Sequence, residues 1–419
     1  MIKQFINNKL SVVLSVVVCT MPLKSNINSI TIILLLAYCL FFIYSKRKEV
    51  VFLPTKAVII LIIPFLFILM QGFYSEWNSY SKNLVRSLPL ILFPVLFYYL
   101  KFWLDSKLVK IVLTSLVCSS IAYSVFLLGF ALYRQFLFMP DFSTINWYFF
   151  TYYDFTEVLD IHPTYLGMYL CLAFTAVLYR YLNTKNNPLI TILLLGFLGL
   201  TIFLVGSRIA LTCLVLIIIY LLAFKIKTLD KTKRIMILLL ITMIPVLVLN
   251  FIPIVKERMI DMTFGLKTDY EYAKYGDDGK DNNYNGGFGP RLKIWHCAVD
   301  VGNYNPFIGS GFGFTQQRLN TCYNNSNLEA YAKKDYQTHS QYFNSYARGG
   351  VLGLCALLLL YIYSVVVSLS RKQVLHFGFL IIIVVASVTE NILNRHMGIV
   401  FFAFFNSLFF FNSISSKRT

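Results

Sequence analysis

The segment from Thr338 to Gly350 places a histidine where a polar stretch turns into an apolar run. Thr338 and Gln341 have the spacing of a capping box, which predicts a helix that is capped by Thr338 and has His339 in its first turn. The partial positive charge of a helix N-terminus disfavours imidazolium, so His339 is expected to stay neutral and able to accept a proton. This setting favours a general base. The alternative is a histidine beside a helix cap that only hydrogen-bonds a loop.

Two arginines also stand at predicted helix starts. Arg208 follows Gly206 and Ser207 in a tight turn between two apolar runs, where a guanidinium and a helix N-terminus both favour an anion. Arg291 lies in the first turn of an amphipathic helix that is predicted to start at Pro290. Either arginine can instead be an interfacial residue whose charge reaches lipid headgroups.

Five further residues on the same predicted face are candidate substrate contacts: His162, Trp295, Tyr342, Arg348 and Glu390. Three of them have a structural alternative. His162 can be an ordinary loop histidine, and Arg348 can mark the membrane boundary. Glu390 can pair with Arg395 or with Arg208. The glycine-rich segment 305–314 can expose backbone N–H groups to an anion, although it lacks the lysine of a phosphate-binding loop.

The elements that must position these residues are predicted from composition. Hydrophobic residues make up 58% of the chain and charged residues 13%, whereas a soluble domain has about half and about a quarter. Apolar runs close to the roughly 20 residues of a membrane-spanning helix recur about twelve times. The predicted fold class is therefore an all-α polytopic membrane protein with about twelve transmembrane helices. The runs lie near 10–23, 29–44, 56–75, 88–104, 108–133, 163–182, 189–206, 208–224, 235–254, 349–369, 374–389 and 397–415.

The charges predict the orientation. The net charge is +18, which in a soluble protein would suggest nucleic acid, but here Lys and Arg concentrate in alternate loops. The positive-inside rule then places both termini in the cytoplasm, and no nucleic-acid binding is predicted. Three parts are expected: an N-terminal bundle of about nine helices (1–254), a large periplasmic loop with short amphipathic helices (255–348), and about three C-terminal helices (349–419).

The acidic stretch and the cysteines of the large loop are the remaining features. The stretch from Asp277 to Asn283 lacks the EF-hand spacing, so it is interpreted as a solvated loop and no metal site is predicted. Six of the eight cysteines lie in apolar runs, where they are expected to pack as small hydrophobic residues. Cys297 and Cys322 lie in the large loop, and an oxidising compartment allows a disulfide between them without requiring one.

Three motifs together resemble the O-antigen ligase and polymerase superfamily. They are Arg208 within Gly206–Ala210, Arg291 within Arg291–Trp295 followed by Asn305–Gly311, and His339 within His339–Gly353. Ser340 stands where that family usually has an asparagine. The resemblance implies a GT-C-like, metal-independent glycosyltransferase of the bacterial inner membrane that needs no cofactor and works on the periplasmic face among membrane lipids.

The resemblance also implies substrates and roles. The donor is expected to be an undecaprenyl diphosphate-linked glycan. The acceptor is lipid A-core oligosaccharide in a ligase, the preferred interpretation, or another lipid-linked repeat unit in a polymerase. By position, His339 would deprotonate the acceptor hydroxyl, and Arg208 and Arg291 would hold the diphosphate. A transporter of lipid-linked oligosaccharides is a remote alternative, because no charge lies near the centre of an apolar run and no internal repeat is evident.

Overall fold

Helices make up every regular element in the part of the chain that the computed structural model describes, namely residues 2–45, 56–139, 145–184, 187–225, 288–326 and 328–415. The predicted all-α class is therefore confirmed. The helices are α1 (Ile2–Thr20), α2 (Ser25–Ser45), α3 (Lys56–Gln71), α4 (Trp77–Ser87), α5 (Pro89–Leu100), α6 (Ser106–Phe138), α7 (Tyr152–Thr156), α8 (Pro163–Asn183), α9 (Pro188–Val205), α10 (Arg208–Lys225), α11 (Phe288–Tyr304), α12 (Phe314–Asn325), α13 (Glu329–Lys333), α14 (Gln341–Ser370), α15 (Val374–Thr389) and α16 (His396–Ser415). Short 3-10 turns lie at Trp147–Phe150, Glu157–Leu159 and Ile392–Asn394.

Many of these helices are membrane-spanning by length and composition. Six segments are long and apolar enough to cross a bilayer: α2, the α4–α5 pair, α6, α8, α9 and α14. Five shorter apolar helices of 10–17 residues lie within α1, α3, α10, α15 and α16. The chain is a multi-pass membrane protein. The count of about twelve spans stays a prediction, and the predicted span 235–254 and the stretch Asp277–Asn283 lie outside the described residues.

Local sequence explains the helix ends that lead to the site. His162 is the N-cap of α8, where its Nδ1 accepts the Thr164 N–H at 3.2 Å, and Pro163 occupies the first helical position. α9 ends at Gly206, whose φ of 63° is left-handed and carries no Cβ penalty. α10 then begins at Arg208. The predicted tight turn before Arg208 is therefore present.

Two apolar cores hold the described residues. In the larger one, Phe404 of α16 packs edge-on against Phe93 and Phe97 of α5, with ring centroids 5.3 and 5.4 Å apart. The smaller one joins α11 and α12 to the start of α14, through residues such as Ile294 and Leu319. A disulfide between Cys297 and Cys322 also joins α11 to α12. The pairing that the sequence left open is therefore present.

α14 is interrupted at Gly350, which has φ 59° and ψ −157°. The loop between α11 and α12 hydrogen-bonds to the α14 backbone on both sides of Gly350. Ser310 and Gly311 donate to the carbonyls of Ala347 and Arg348 at 3.1 and 2.9 Å, and Val351 and Leu352 donate to the carbonyls of Pro306 and Phe307 at 2.7 and 3.1 Å. The loop thus satisfies backbone groups that the break would leave unpaired inside a membrane protein. The N–H groups of Ser310 and Gly311 are consequently not free to bind an anion.

Candidate functional site

His339 lies two residues before α14 rather than in its first turn. α14 begins at Gln341, and its N-cap is Ser340. The hydroxyl of Thr338 lies 3.1 Å from the Ser340 carbonyl and 3.0 Å from Asn391 Oδ1. The predicted capping box is therefore wrong, because the turn between α15 and α16 attracts the Thr338 hydroxyl. The same turn occupies the Gln341 side chain, whose Oε1 accepts the N–H of Leu393 at 2.8 Å.

The backbone holds His339 in an unusual conformation. Its φ of 46° lies in the left-handed region, which costs about 1–3 kcal/mol for a non-glycine residue and is common at functional sites. Trp295 supports the preceding residue, because its indole N–H donates to the Thr338 carbonyl at 3.0 Å and its ring stacks on Phe343 at 5.0 Å. Only 9% of Trp295 is exposed. This candidate sugar contact therefore serves first to position the His339 segment.

The electrostatics keep the His339 imidazole neutral. Burial, followed by the positive charges of Arg291 and Arg395, lowers the pKa of His339 to about 4. The ring is a free base at pH 7, as expected, although the causes are burial and two cations. Arg291 reaches this site from α11, and Arg395 immediately precedes α16. The structure thus brings Arg291 and His339 together.

A second histidine, His162, lies in the same electrostatic environment. Burial and then the positive charges of Arg395 and Arg291 lower the pKa of His162 to about 3. Because Nδ1 accepts the Thr164 N–H, the proton of the neutral ring is on Nε2. That Nε2 lies 2.6 Å from the Tyr153 hydroxyl and 4.0 Å from Glu390 Oε1. The His162 Nε2–H therefore donates to the Tyr153 hydroxyl, and Glu390 lies beside this pair beyond hydrogen-bond distance.

Glu390 is 6% exposed. Burial raises the pKa of Glu390 to about 7, although the charges of Arg291 and Arg395 act in the opposite direction. Glu390 Oε1 lies 4.0 Å from His162 Nε2, which is uncharged at neutral pH, so the two do not form an ion pair. Glu390 is therefore a carboxyl group that takes up and releases a proton near neutral pH, beside two histidines that stay uncharged.

A third helix, α10, carries Arg208 at its first position. The hydroxyl of Ser207, just before it, lies 3.3 Å from the hydroxyl of Thr164 in α8. Thr164 in turn donates to His162. The start of α10 therefore adjoins the start of α8, and Arg208 lies half-buried on the His162 side of the site.

Tyr342 and Arg348 both belong to α14 but have different surroundings. The Tyr342 hydroxyl donates to the Val384 carbonyl at 3.0 Å and so joins α14 to α15. Arg348 lies at the break in α14, where its guanidinium is 4.2 Å from the ring centroid of Phe312. Arg348 lines a cavity whose wall also contains Gln341, two residues after His339, whereas His339 itself does not line it.

Three residues of interest were not predicted as functional. Arg395 was considered only as an ion-pair partner, although a cation directly before an apolar helix is the same signal that identified Arg208. The other two are Tyr153 and Arg86, and neither carries a distinguishing sequence signal. Arg86 lies in α4, and its Nη1 donates to the Asn394 carbonyl at 3.0 Å. Within the described ranges, no group of three or more His, Cys, Asp or Glu side chains is arranged to hold a metal ion.

Comparison with known proteins gives a partial match. A family model described as O-antigen ligase matches residues 191–358. The matched range starts in α9 and ends in α14, so it contains Arg208, Arg291 and His339. No curated protein matches the chain.

Proposed function

Because this chain belongs to the O-antigen ligase and polymerase superfamily, we propose that it is an O-antigen ligase. It transfers a glycan from undecaprenyl diphosphate to lipid A-core oligosaccharide on the periplasmic face of the bacterial inner membrane, without a metal and with inversion of the anomeric centre. The family acts on lipid-linked glycans, which supports the general reaction.

The observation that carries the proposal is the neutral imidazole of His339 beside Arg291 and Arg395. A diphosphate is already a good leaving group, so the reaction needs an activated hydroxyl, positive charge on the phosphates and correct alignment. His339 removes the proton from the acceptor hydroxyl while the hydroxyl oxygen attacks the anomeric carbon. The bond between the anomeric carbon and the diphosphate oxygen then breaks. Arg291 and Arg208 hold the diphosphate and balance the charge that it gains.

The arrangement supports three additional roles. Arg395 adds a third cation on the same side as Arg291, since both charges act on His339, His162 and Glu390. His162 and Glu390 contact the sugars, and Glu390 accepts or returns a proton near neutral pH. Trp295 and Tyr342 fix the two ends of the His339 segment, through the Thr338 carbonyl and α15.

The test is an electrophoretic profile of envelope glycolipid from cells that lack this protein. The cells are complemented with wild type, with His339→Ala, or with His296→Gln as a matched control. His296 is a histidine of α11 whose side chain is 79% exposed. General-base catalysis contributes about 10²–10⁴-fold, so His339→Ala should abolish visible transfer while His296→Gln restores it.

The molecule on which glycan accumulates distinguishes a ligase from a polymerase. In cells without the protein, long glycan should remain on the undecaprenyl carrier while lipid A-core stays bare. Lipid A-core that carries a single repeat unit would instead indicate a polymerase. Full restoration by His339→Ala would exclude His339 as the base.

A further inference from the structure

A cavity of about 60 Å³ lies beside the break in α14. Its polar wall contains Arg348, Gln71, Asn344 and Asn394, whereas His339, Arg291 and Arg208 do not line it. The volume is several times the roughly 10–15 Å³ that one water requires. The cavity therefore has room for a polar group larger than water, and it adjoins the His339 segment through Gln341.

Two arginines bond to one neutral residue of the cavity wall, Asn394, and of the two only Arg348 lines the cavity. Arg348 Nη1 donates to Asn394 Oδ1 at 2.7 Å, and Arg86 Nη1 donates to the Asn394 carbonyl at 3.0 Å. The ion pairs found between described residues involve other side chains. The Arg348 guanidinium is partly buried and lies near the charge of the exposed Arg86, so a counter-charge in the cavity would stabilise the Arg348 guanidinium.

Two buried polar atoms of the lining residues also lack partners among the described residues. They are Arg348 Nε, which is a donor, and Gln71 Oε1, which is an acceptor. Arg348 is held firmly, because its guanidinium lies over Phe312 and its Nη2 is 3.4 Å from Asn344 Oδ1. A water could satisfy the free Nε–H, but it would leave both positive charges unbalanced. An oxyanion would satisfy the donor and the charge together.

The rest of the wall is apolar and belongs to helices of the membrane bundle. Phe67 comes from α3, Leu90 from α5, and Leu357 from the second half of α14. A cation pair next to an apolar wall suits a ligand whose charged group is attached to a hydrocarbon chain.

We propose that this cavity binds the phosphate oxyanion of a lipid, with Arg348 as its direct cationic partner. The bound phosphate accepts the free Nε–H of Arg348, while Arg86, on the far side of the shared Asn394, adds positive potential without touching the phosphate. The hydrocarbon chain follows the apolar wall. The site does not depend on glycan transfer. A bilayer phospholipid and a polyprenyl diphosphate share this chemistry, and the binding experiment separates them.

The experiment is native mass spectrometry of the full chain purified in detergent. The probes are phosphatidylglycerol, diacylglycerol as the neutral comparison, undecaprenyl diphosphate and inorganic phosphate. The variants are Arg348→Gln and Arg86→Gln. The matched control is Arg134→Gln, which removes the same charge from a residue that pairs with Glu157 at 3.2 Å and does not line the cavity.

Each phosphate-bearing lipid that binds wild type should bind Arg348→Gln at least about tenfold more weakly, because a charge-assisted hydrogen bond is lost. Arg86→Gln should weaken binding by a smaller factor, because it removes only a nearby positive charge. Arg134→Gln should bind as wild type does. Tighter binding of undecaprenyl diphosphate than of phosphatidylglycerol would identify the lipid-linked substrate as the source. The reverse order would identify bilayer lipid, and displacement by inorganic phosphate would confirm that the phosphate group is what is recognised.

Equal retention of diacylglycerol and phosphatidylglycerol would overturn the proposal, as would unchanged binding in both arginine variants. If Arg348→Gln does not fold, Arg86→Gln still tests the proposal. Its fold should be intact, because Arg86 is exposed and donates to a single carbonyl. Thermal unfolding of each variant identifies any that is not folded. Because binding is measured without an acceptor, failure here would leave the proposed transferase reaction untouched, and failure of that reaction would leave the binding result unchanged.

Discussion

The peptide N–H of Val351 donates to the carbonyl oxygen of Pro306 at 2.7 Å, and this bond joins the second half of α14 to the loop between α11 and α12. Gly309 and Gly350 make the close approach of the two segments feasible. A Cβ built at Gly309 would lie 2.4 Å from the Arg348 carbonyl carbon, and one at Gly350 would lie 2.5 Å from the Pro306 oxygen. Both contacts are to backbone, which cannot move aside as a side chain can.

Gly350→Ala should therefore destabilise the protein. The new methyl group meets the Pro306 and Phe307 backbone, and the φ of 59° is strained for alanine. A loss of about 1–3 kcal/mol or more is expected, measured as a lower midpoint of thermal unfolding in detergent. Gly129→Ala is the matched control, because a Cβ at Gly129 meets nothing within 4 Å. Equal midpoints for the two variants would contradict the pairing of loop and helix.

Arg291→Gln should change the pH dependence of transfer. The positive charge of Arg291 lowers the pKa of His339, which burial and the two cations bring to about 4. Removing that charge raises the pKa of His339, so the acid limb of kcat/KM should move to higher pH while staying below 6.5 because burial remains. Arg208 is not among the charges that act on His339.

Arg208→Gln is therefore the comparison for this experiment. It should slow transfer and leave the acid limb where wild type has it. If the acid limb of kcat/KM lies at the same pH in Arg291→Gln and Arg208→Gln, then Arg291 does not lower the pKa of His339.

Glu390→Gln should stabilise the protein, but only at neutral and alkaline pH. The pKa of Glu390 is raised from 4.5 to about 7 by burial, so the folded state holds its proton more tightly than the unfolded state does. This contribution to stability is fully present below pH 4.5 and is lost as the pH rises through 7. Glutamine resembles the protonated form at every pH.

The difference in unfolding midpoint between Glu390→Gln and wild type should thus be near zero at pH 4.5 and positive at pH 8. Glu157→Gln serves as the control, because the Glu157 side chain is 68% exposed. If Glu390→Gln raises the unfolding midpoint by the same amount at both pH values, the protonation of Glu390 is not the cause.

Removal of the disulfide should weaken the part of the structure that carries Arg291. Cys297 and Cys322 are 25 residues apart, and a crosslink over such a loop contributes about 3 kcal/mol in the chain-entropy account. The double variant Cys297→Ser, Cys322→Ser should unfold at lower temperature than wild type and be insensitive to reductant. The exposed free cysteines Cys118 and Cys355 provide the control, since their replacement by serine should leave the effect of reductant intact.

Short-range patterns in the sequence predicted much of the fold and part of the site. Apolar runs predicted the helices, and Gly206 predicted the turn before Arg208, because both depend on neighbouring residues. The placement of Arg291 and His339 at predicted helix starts on the outer face predicted that the two share one region. The family motifs extend over the same residues that the comparison matches.

Long-range contacts explain what the sequence could not predict. Thr338 and Gln341 have capping-box spacing, yet Asn391 and Leu393 compete for their side chains from the turn between α15 and α16. The left-handed backbone of Gly350 depends on a loop from an earlier segment. Arg86 and Arg348 meet only because Asn394 bonds both of them. None of these partners is adjacent in the chain.

The break in α14 also has a consequence for the order of biogenesis. The segment from Asn305 to Gly311 is synthesised before Gly350, so its carbonyls already exist when the helix emerges. The insertion machinery receives the apolar half of α14 after Gly350 as a segment near the roughly 20 residues that span a bilayer. The polar half, from Gln341 to Gly349, docks on the loop afterwards. We therefore expect the end of the molecule that carries His339 to mature after its membrane spans are in place.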